Sequence, residues 1–465
     1  MDNILRLEQV TYAEGNSFYL RDYNLDIKSG EILGLLPLNA HGIPTLLELI
    51  KNNPPLYYGQ VIYDGQVVNS WKDMKRFQNP VTVITSISSL VEGQSVLTNI
   101  FLLNHNGPFF IREKDLERKL KVYIDEIGVD IVPRMRVEEL TAFERVVVEM
   151  MRGVILGHKL IILKDVSSYI GESYLEELYG IIRNYSSKGI AFLFISNYCE
   201  EMISLCDRTA LMSNGRVLMK LDRELTKKKL RDICDKEYRE RSELYKESQA
   251  KKSDVKPVME ICGIEGKYFD RTTITVYEGE YSVIHIPSSK TYNEFVDIIF
   301  GKDKNISINS VLPYINNPEL KSRDVAFVRQ RADESMIFPR MSYMDNLLFT
   351  SDHKVSSFWG KRGIKKSIRQ EFYGLVGEDL FDRSADTLSS KDRMILVYSR
   401  VLLQHPKVVF CEMPFNDADF AMELLIRDLQ RKLCENGIAV IVLTMNLHES
   451  VLEPDRVTII DERQS

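Results

Sequence analysis

The sequence is poor in several features that would each announce a class of protein. Among 465 residues there are 6 cysteines (Cys199, Cys206, Cys234, Cys262, Cys411, Cys434) and no CxxC pair, which argues against a disulfide framework or a zinc site and for reduced thiols. No apolar run reaches membrane-spanning length. The first residues, MDNILRLEQV, lack the basic and then apolar stretches of a secretory signal. Positive charge is not in excess: the net charge is −6, which gives no electrostatic case for nucleic acid. What remains is 44% hydrophobic and 28% charged, the balance of a soluble globular chain long enough for two domains.

Glycine and lysine are missing where one stretch most needs them. In GLLPLNAHGIPTLLEL, residues 34–49, an apolar run predicts a buried strand and TLLELI predicts a helix start. A phosphate-binding loop at that junction needs G-x-x-x-x-G-K-[ST]. Its glycines turn backbone N–H groups onto phosphates, its lysine reaches the terminal phosphates, and its hydroxyl holds magnesium. Here Pro37 stands at the first glycine, Gly42 at the second, Ile43 at the lysine and Pro44 at the hydroxyl residue.

The chain says most things twice. Gly30-Glu31 recurs as Gly279-Glu280, 249 residues later. Leu140-Thr141 recurs as Leu388-Ser389, Lys159 as Lys407, and Asp207-Arg208 as Asp455-Arg456, each 248 later. A near-constant offset over four landmarks predicts two homologous halves, 1–222 and 257–465. Between them, 223–256 is dense in both charge signs and reads as a solvated helical linker. In each half, short β-rich runs such as VTVIT, LIILK and IAFLFIS alternate with helical patterns, which predicts α/β domains with largely parallel sheets. Ligands bind such sheets at the carboxyl ends of their strands, where the altered motifs fall.

The order and spacing of these motifs resemble the ATP-binding cassette family, specifically the tandem ATPase subunits of bacterial sugar importers, over nearly the whole chain apart from the linker. The resemblance implies two tandem P-loop NTPase-type domains, each with a mixed, largely parallel sheet, an antiparallel β part and a helical subdomain. It places Tyr12 at an adenine-stacking aromatic, and Asn39, Gly42 and Thr45 in the first phosphate loop. Ser86 replaces the glutamine of the Gln-containing loop. Leu140 and Thr141 open a signature whose glycine position holds Phe143. Lys164 stands where a magnesium-binding aspartate belongs, Asp165 at the catalytic glutamate and Asn197 at the switch histidine. In the second half an ungapped register puts IPSSKTYN at the phosphate loop. A register two residues shorter puts Lys290-Thr291 at the lysine–hydroxyl pair and Ser289 at the preceding glycine; Ser288 falls within either loop. Gln330 matches the Gln-containing loop, and Leu388 and Ser389 the signature. Glu412 matches the magnesium aspartate, Met413 the catalytic acid and Met445 the switch histidine.

Phosphoryl transfer depends on positioned charge, and each such loss costs roughly 10²- to 10³-fold in rate. The expectation is therefore a cassette subunit with weak or no hydrolysis, in which Asp165 and Glu412 are catalytic remnants. Lys164 has two readings, partial replacement of magnesium's charge or an ion pair with Asp165, and the second is preferred. Tyr12 is as well explained by a packed aromatic, and Asn197 and Met445 by capping and packing. ATP is the implied ligand, with Mg²⁺ disfavoured; an active ATPase with substituted motifs and a nucleotide sensor without turnover are the alternatives. The implied partner is a membrane permease, met through Asn99, Ile100, Phe101, Asn346 and Leu347, although these residues equally begin a helical subdomain. The two halves, or two copies, are expected to pair, and the expected location is the cytoplasm or the inner face of the cell membrane.

Overall fold

The computed structural model describes residues 2–15, 17–74, 78–101, 113–223, 257–300, 324–349, 360–416, 418, 420–446 and 454–463. The chain divides into two compact units, Met1–Glu247 and Ser248–Ser465. From residue 224 on, the expected charged linker lies outside the described residues.

In the first unit, two long strands, β1 (Asn3–Glu14) and β2 (Ser17–Lys28), pair antiparallel. They are followed by β3 (Ile32–Pro37), α1 (Ile43–Asn52), β4 (Tyr58–Tyr63), β5 (Gln66–Ser70), β6 (Asp73–Met74) and β7 (Val81–Ile84). The helical part is α2 (Val96–Phe101), α3 (Glu113–Ile127) and α4 (Ala142–Ile155). Then come β8 (Leu160–Lys164), α5 (Leu175–Ser187), β9 (Ala191–Ile195), α6 (Cys199–Leu205), β10 (Arg208–Ser213) and β11 (Arg216–Asp222). An antiparallel sheet has the order β2-β1-β4-β5-β6. The second sheet, β11-β10-β3-β9-β8-β7, is parallel from β10 to β7.

The parallel strands are near-continuous apolar runs because both faces are covered. Alternate residues of β3 enter different cores: Ile32 and Leu36 pack with α4 and α5, whereas Leu33 and Leu35 pack with α1 and the antiparallel sheet. That period of two fixes the register, which brings the ends of β3, β8 and β9 to one edge.

The second unit repeats the arrangement. It contains β12 (Pro257–Ile264), β13 (Thr272–Tyr277), β14 (Tyr281–His285), α7 (Ser289–Phe300), β15 (Val325–Val328), α8 (Ala332–Ser335) and α9 (Tyr343–Leu348). It continues with α10 (Gly360–Val376), α11 (Ser390–Gln404), β16 (Val408–Glu412), α12 (Phe420–Glu435), β17 (Ala439–Thr444) and β18 (Arg456–Ile459). Its parallel sheet, β15-β16-β17-β14-β18, matches β7-β8-β9-β3-β10 strand for strand. Both units are thus α/β domains, each with a parallel sheet, an antiparallel β part and helices, as the resemblance implies. Among the described residues no helix is long and apolar enough to cross a membrane. Among the described residues Cys206, Cys262, Cys411 and Cys434 are free thiols.

Candidate functional site

Five residues, 38–42, join β3 to α1. Gly42 caps the helix at φ 87°, and a Cβ there would meet the Tyr19 carbonyl oxygen at 2.5 Å, so only glycine fits. The glycine that survives from the phosphate-loop pattern therefore serves a close approach to β2. At the lysine position Ile43 is 2% exposed and joins Leu46, Leu49 and Ile50 in the core. Pro44 lies in the first turn of α1, where a helix tolerates proline because that N–H has no intrahelical partner, but where a phosphate loop would use it. Thr45 is half-buried. Asn39 fastens the loop to the β10–β11 turn: its amide donates to Ser213 Oγ and Asn214 Oδ1, both at 3.2 Å, and its oxygen accepts from the Asn214 backbone N at 3.1 Å.

The carboxyl end of β8 holds the preferred ion pair. Lys164 Nζ lies 2.6 Å from Asp165 Oδ2. Asp165 has a left-handed backbone, φ 49°, and its N–H donates to the Ile195 carbonyl at 2.9 Å. Behind it on α6 sits Glu201, which the sequence reading did not single out. Burial pushes its carboxyl up to about 7, against hydrogen bonding from Ser167, Ser196 and Tyr179, and the Asp165 charge adds to the rise. Only an amphipathic helix containing a carboxyl signalled it. Tyr12 donates its hydroxyl to Glu14 Oε1 at 2.7 Å and packs its ring on the core; burial and then Glu14 raise its pKa to about 12. Ser86 and Asn197 are half-buried.

Both signature positions are helix caps. Thr141 Oγ1 accepts from Glu144 N at 3.2 Å while Glu144 Oε2 accepts from Thr141 N at 2.7 Å, a complete capping box at the start of α4. Ser389 Oγ accepts from Asp392 N at 3.1 Å at the start of α11. Leu140 and Leu388 are buried, and Phe143 stacks on Tyr174 with centroids 5.2 Å apart.

In the second unit only three residues, 286–288, separate β14 from α7. The buried Tyr292, Phe295 and Ile299 lie 249 residues beyond the buried Ile43, Leu46 and Ile50, so the packing follows the ungapped register. The helix therefore begins opposite Ala40, and an added helical turn occupies the place of the loop. Lys290 is exposed on that turn. Thr291 is fully buried, its Oγ1 3.5 Å from the Tyr268 carbonyl. The hydroxyls of Ser288 and Ser289 are buried without hydrogen-bond partners among the described residues. Met413 repeats the turn of Asp165, with φ 36° and its N–H on the Leu443 carbonyl at 2.9 Å, next to the half-buried Glu412. Gln330 is half-buried, and its carbonyl accepts from Ser335 Oγ at 3.1 Å.

The residues that the resemblance places at a permease contact lie in the short helices α2 and α9, with their side chains largely inside. Asn99, Ile100, Asn346 and Leu347 are buried; Phe101 is half-buried. Asn99 Oδ1 accepts from Val91 N at 2.6 Å and its amide donates to the Val91 carbonyl at 3.1 Å. Asn346 clamps Phe338 in the same way, at 2.9 Å on both sides. The physical reason is that each loop before the helix leaves backbone groups that only a short amide can satisfy.

The ABC transporter family profile matches residues 20–167. The ribose import ATP-binding protein RbsA of Oceanobacillus iheyensis is 23% identical over 479 residues, covering 98% of this chain and 94% of that protein. The galactose/methyl galactoside import ATP-binding protein MglA of Treponema denticola is 21% identical over 488 residues, covering 100% of this chain and 95% of that protein. Among solved structures, a nucleotide-free ATP-binding cassette from an ABC transporter is 17% identical, covers 49% of this chain and 94% of its own, and has a TM-score of 0.43.

Proposed function

We infer that this chain, a tandem protein of the ATP-binding cassette family, is the cassette subunit of a sugar-import type system that docks on a membrane permease from the cytoplasmic side and hydrolyses little or no ATP. The import role rests on the two full-length relatives, which are named as import ATP-binding proteins for ribose and galactose.

One observation carries the loss of hydrolysis: Lys164 Nζ sits 2.6 Å from Asp165 Oδ2. A carboxylate that orients an attacking water must have its lone pairs free for that water. Asp165 has one oxygen committed to an ammonium on the neighbouring residue. The pair also puts a cation where a divalent metal would need a carboxylate. With Pro44 in place of the hydroxyl residue, these side chains do not fit magnesium. In the second unit Met413 offers no base beside Glu412.

ATP held without turnover is the second reading, favoured by the buried, unpartnered Ser288 and Ser289 hydroxyls at the start of α7. Its contacts would be Tyr12, Asn39, Gly42 and Thr45 in the first unit, and Ser288, Ser289, Lys290, Thr291 and Gln330 in the second.

Thermal unfolding with ATP in magnesium and in EDTA tests the metal-free reading. Ligand stabilisation follows RT ln(1 + [L]/Kd). The expected result is the same shift, including none, in both conditions. A shift that magnesium increases, equivalent to a tenfold gain in affinity, would overturn it.

A further inference from the structure

A cavity of about 530 Å³ opens beside the first unit's loop, lined by Phe18, Arg21, His41, Ser213, Asn214, Arg216 and Leu218. None of the residues assigned above to a nucleotide lines it. We propose that this cavity binds the phosphate group of a small phosphorylated ligand, with Arg21 and Arg216 as its charge partners. The proposal goes beyond the transport reading and does not depend on it.

Three chain segments build the wall, and each is pinned. The β10–β11 turn is tied to the loop by Asn39, whose side chain meets Ser213 Oγ, Asn214 Oδ1 and the Asn214 backbone. It is tied to β2 by the Arg21 N–H, which donates to the Gly215 carbonyl at 3.0 Å. Gly215, at φ 71°, allows that approach, since a Cβ there would lie 2.0 Å from the Tyr19 carbonyl oxygen. His41 is held by the Phe18 carbonyl, 3.0 Å from its Nε2, and stacks on Tyr19 with centroids 5.7 Å apart. Arg21 lies over the Phe18 ring, 4.9 Å from its centroid. Such a cavity is preorganised, which lowers the cost of binding.

The charge is uncommitted. Neither Arg21 nor Arg216 has a carboxylate partner among the described residues, whereas Arg134, Arg145, Arg208 and Arg369 are all paired. Guanidinium forks match the oxygens of a phosphate, and paired arginines around a hydroxyl and an amide suit a doubly charged monoester better than a neutral sugar. The volume is that of a pocket for a small metabolite. A hexose phosphate, a nucleotide or free phosphate shares this chemistry.

Calorimetric titration of the full chain with inorganic phosphate, a hexose phosphate and AMP, at low salt, tests the proposal. The expected result is saturable binding of at least one probe, weakened at least tenfold in Arg21→Ala and Arg216→Ala and unchanged in Lys121→Ala, an exposed charge loss on another face. The tightest of the three probes names the source of the phosphate. Both arginines are exposed, so the variants should keep the wild-type melting profile. No saturable binding of any probe at millimolar concentration, or binding that both arginine variants leave intact, overturns the proposal. Neither readout involves ATP hydrolysis, so its failure is distinct from failure of the transport reading.

Discussion

Arg208 and Glu31 pair at the start of β3, Nη2 3.0 Å from Oε2, and Arg456 repeats the contact with Glu280, Nε 3.0 Å from Oε1. Each glutamate also accepts a backbone N–H at 2.8 Å, Lys28 in one unit and Tyr277 in the other. The neighbouring Asp207 and Asp455 accept from Ile32 and Tyr281 at 2.9 and 2.8 Å. Gly-Glu and Asp-Arg, read as separate landmarks in the sequence, are therefore two sides of one device that fixes the first strand of the parallel sheet. Removing one partner leaves a buried charge uncompensated. Glu31→Gln should cost about 2–3 kcal/mol in chemical denaturation. Glu280→Gln should cost about 1 kcal/mol, because Arg456 is 42% exposed against 20% for Arg208.

The signature-position hydroxyls are expected to act as caps and nothing more. Thr141→Ala should destabilise by about 1–2 kcal/mol and Ser389→Ala by about 1 kcal/mol, while Thr141→Ser is nearly neutral. Thermal melts check the stability, and any nucleotide affinity should be the same in all three variants.

Glu201 makes stability depend on pH. Its folded pKa, about 7, lies above the ordinary 4.5, so the folded state holds this proton more tightly than the unfolded chain does. The stabilisation is fully present below about pH 4.5 and is lost as pH rises through 7. Glu201→Gln should match the parent near pH 4 and exceed it at pH 8 by up to about 3 kcal/mol. Urea denaturation at the two pH values is the check; equal stability of the two proteins at pH 8 would contradict it.

Asn99 and Asn346 each satisfy both backbone groups of one loop residue, Val91 and Phe338. Truncation to alanine strands those groups, at about 2–3 kcal/mol per site. Hydrogen exchange at Val91 and Phe338 should accelerate in the respective variant, and Asn→Asp should not restore the protection, since a carboxylate has no N–H to give to the carbonyl.

The scaffold was readable because its signals are local. Apolar runs such as LIILK and AFLFI are buried on both faces, and the 248- and 249-residue offsets place them in the same strand order twice. The departures from a phosphate-loop pattern were readable as missing residue types, Ile43 and Pro44 foremost. Direction was not readable. Asn99 and Asn346 carry no sequence signal for the loops they close, at Val91 and Phe338, which hold them buried. The register of the second loop stayed open because SSKTYN fits either alignment; the packing of Tyr292, Phe295 and Ile299 resolves it, and the extra helical turn leaves no loop for Lys290 to serve. Glu201 carried no pattern, since its raised pKa arises from the packing of α6 behind the Lys164–Asp165 pair.

The proposed loss of hydrolysis is tested most directly by steady-state phosphate release from ATP by the purified full chain with magnesium, beside Asp165→Asn. Both proteins are expected to stay at the rate of buffer alone. A saturable, magnesium-dependent rate in the parent that Asp165→Asn abolishes would contradict it.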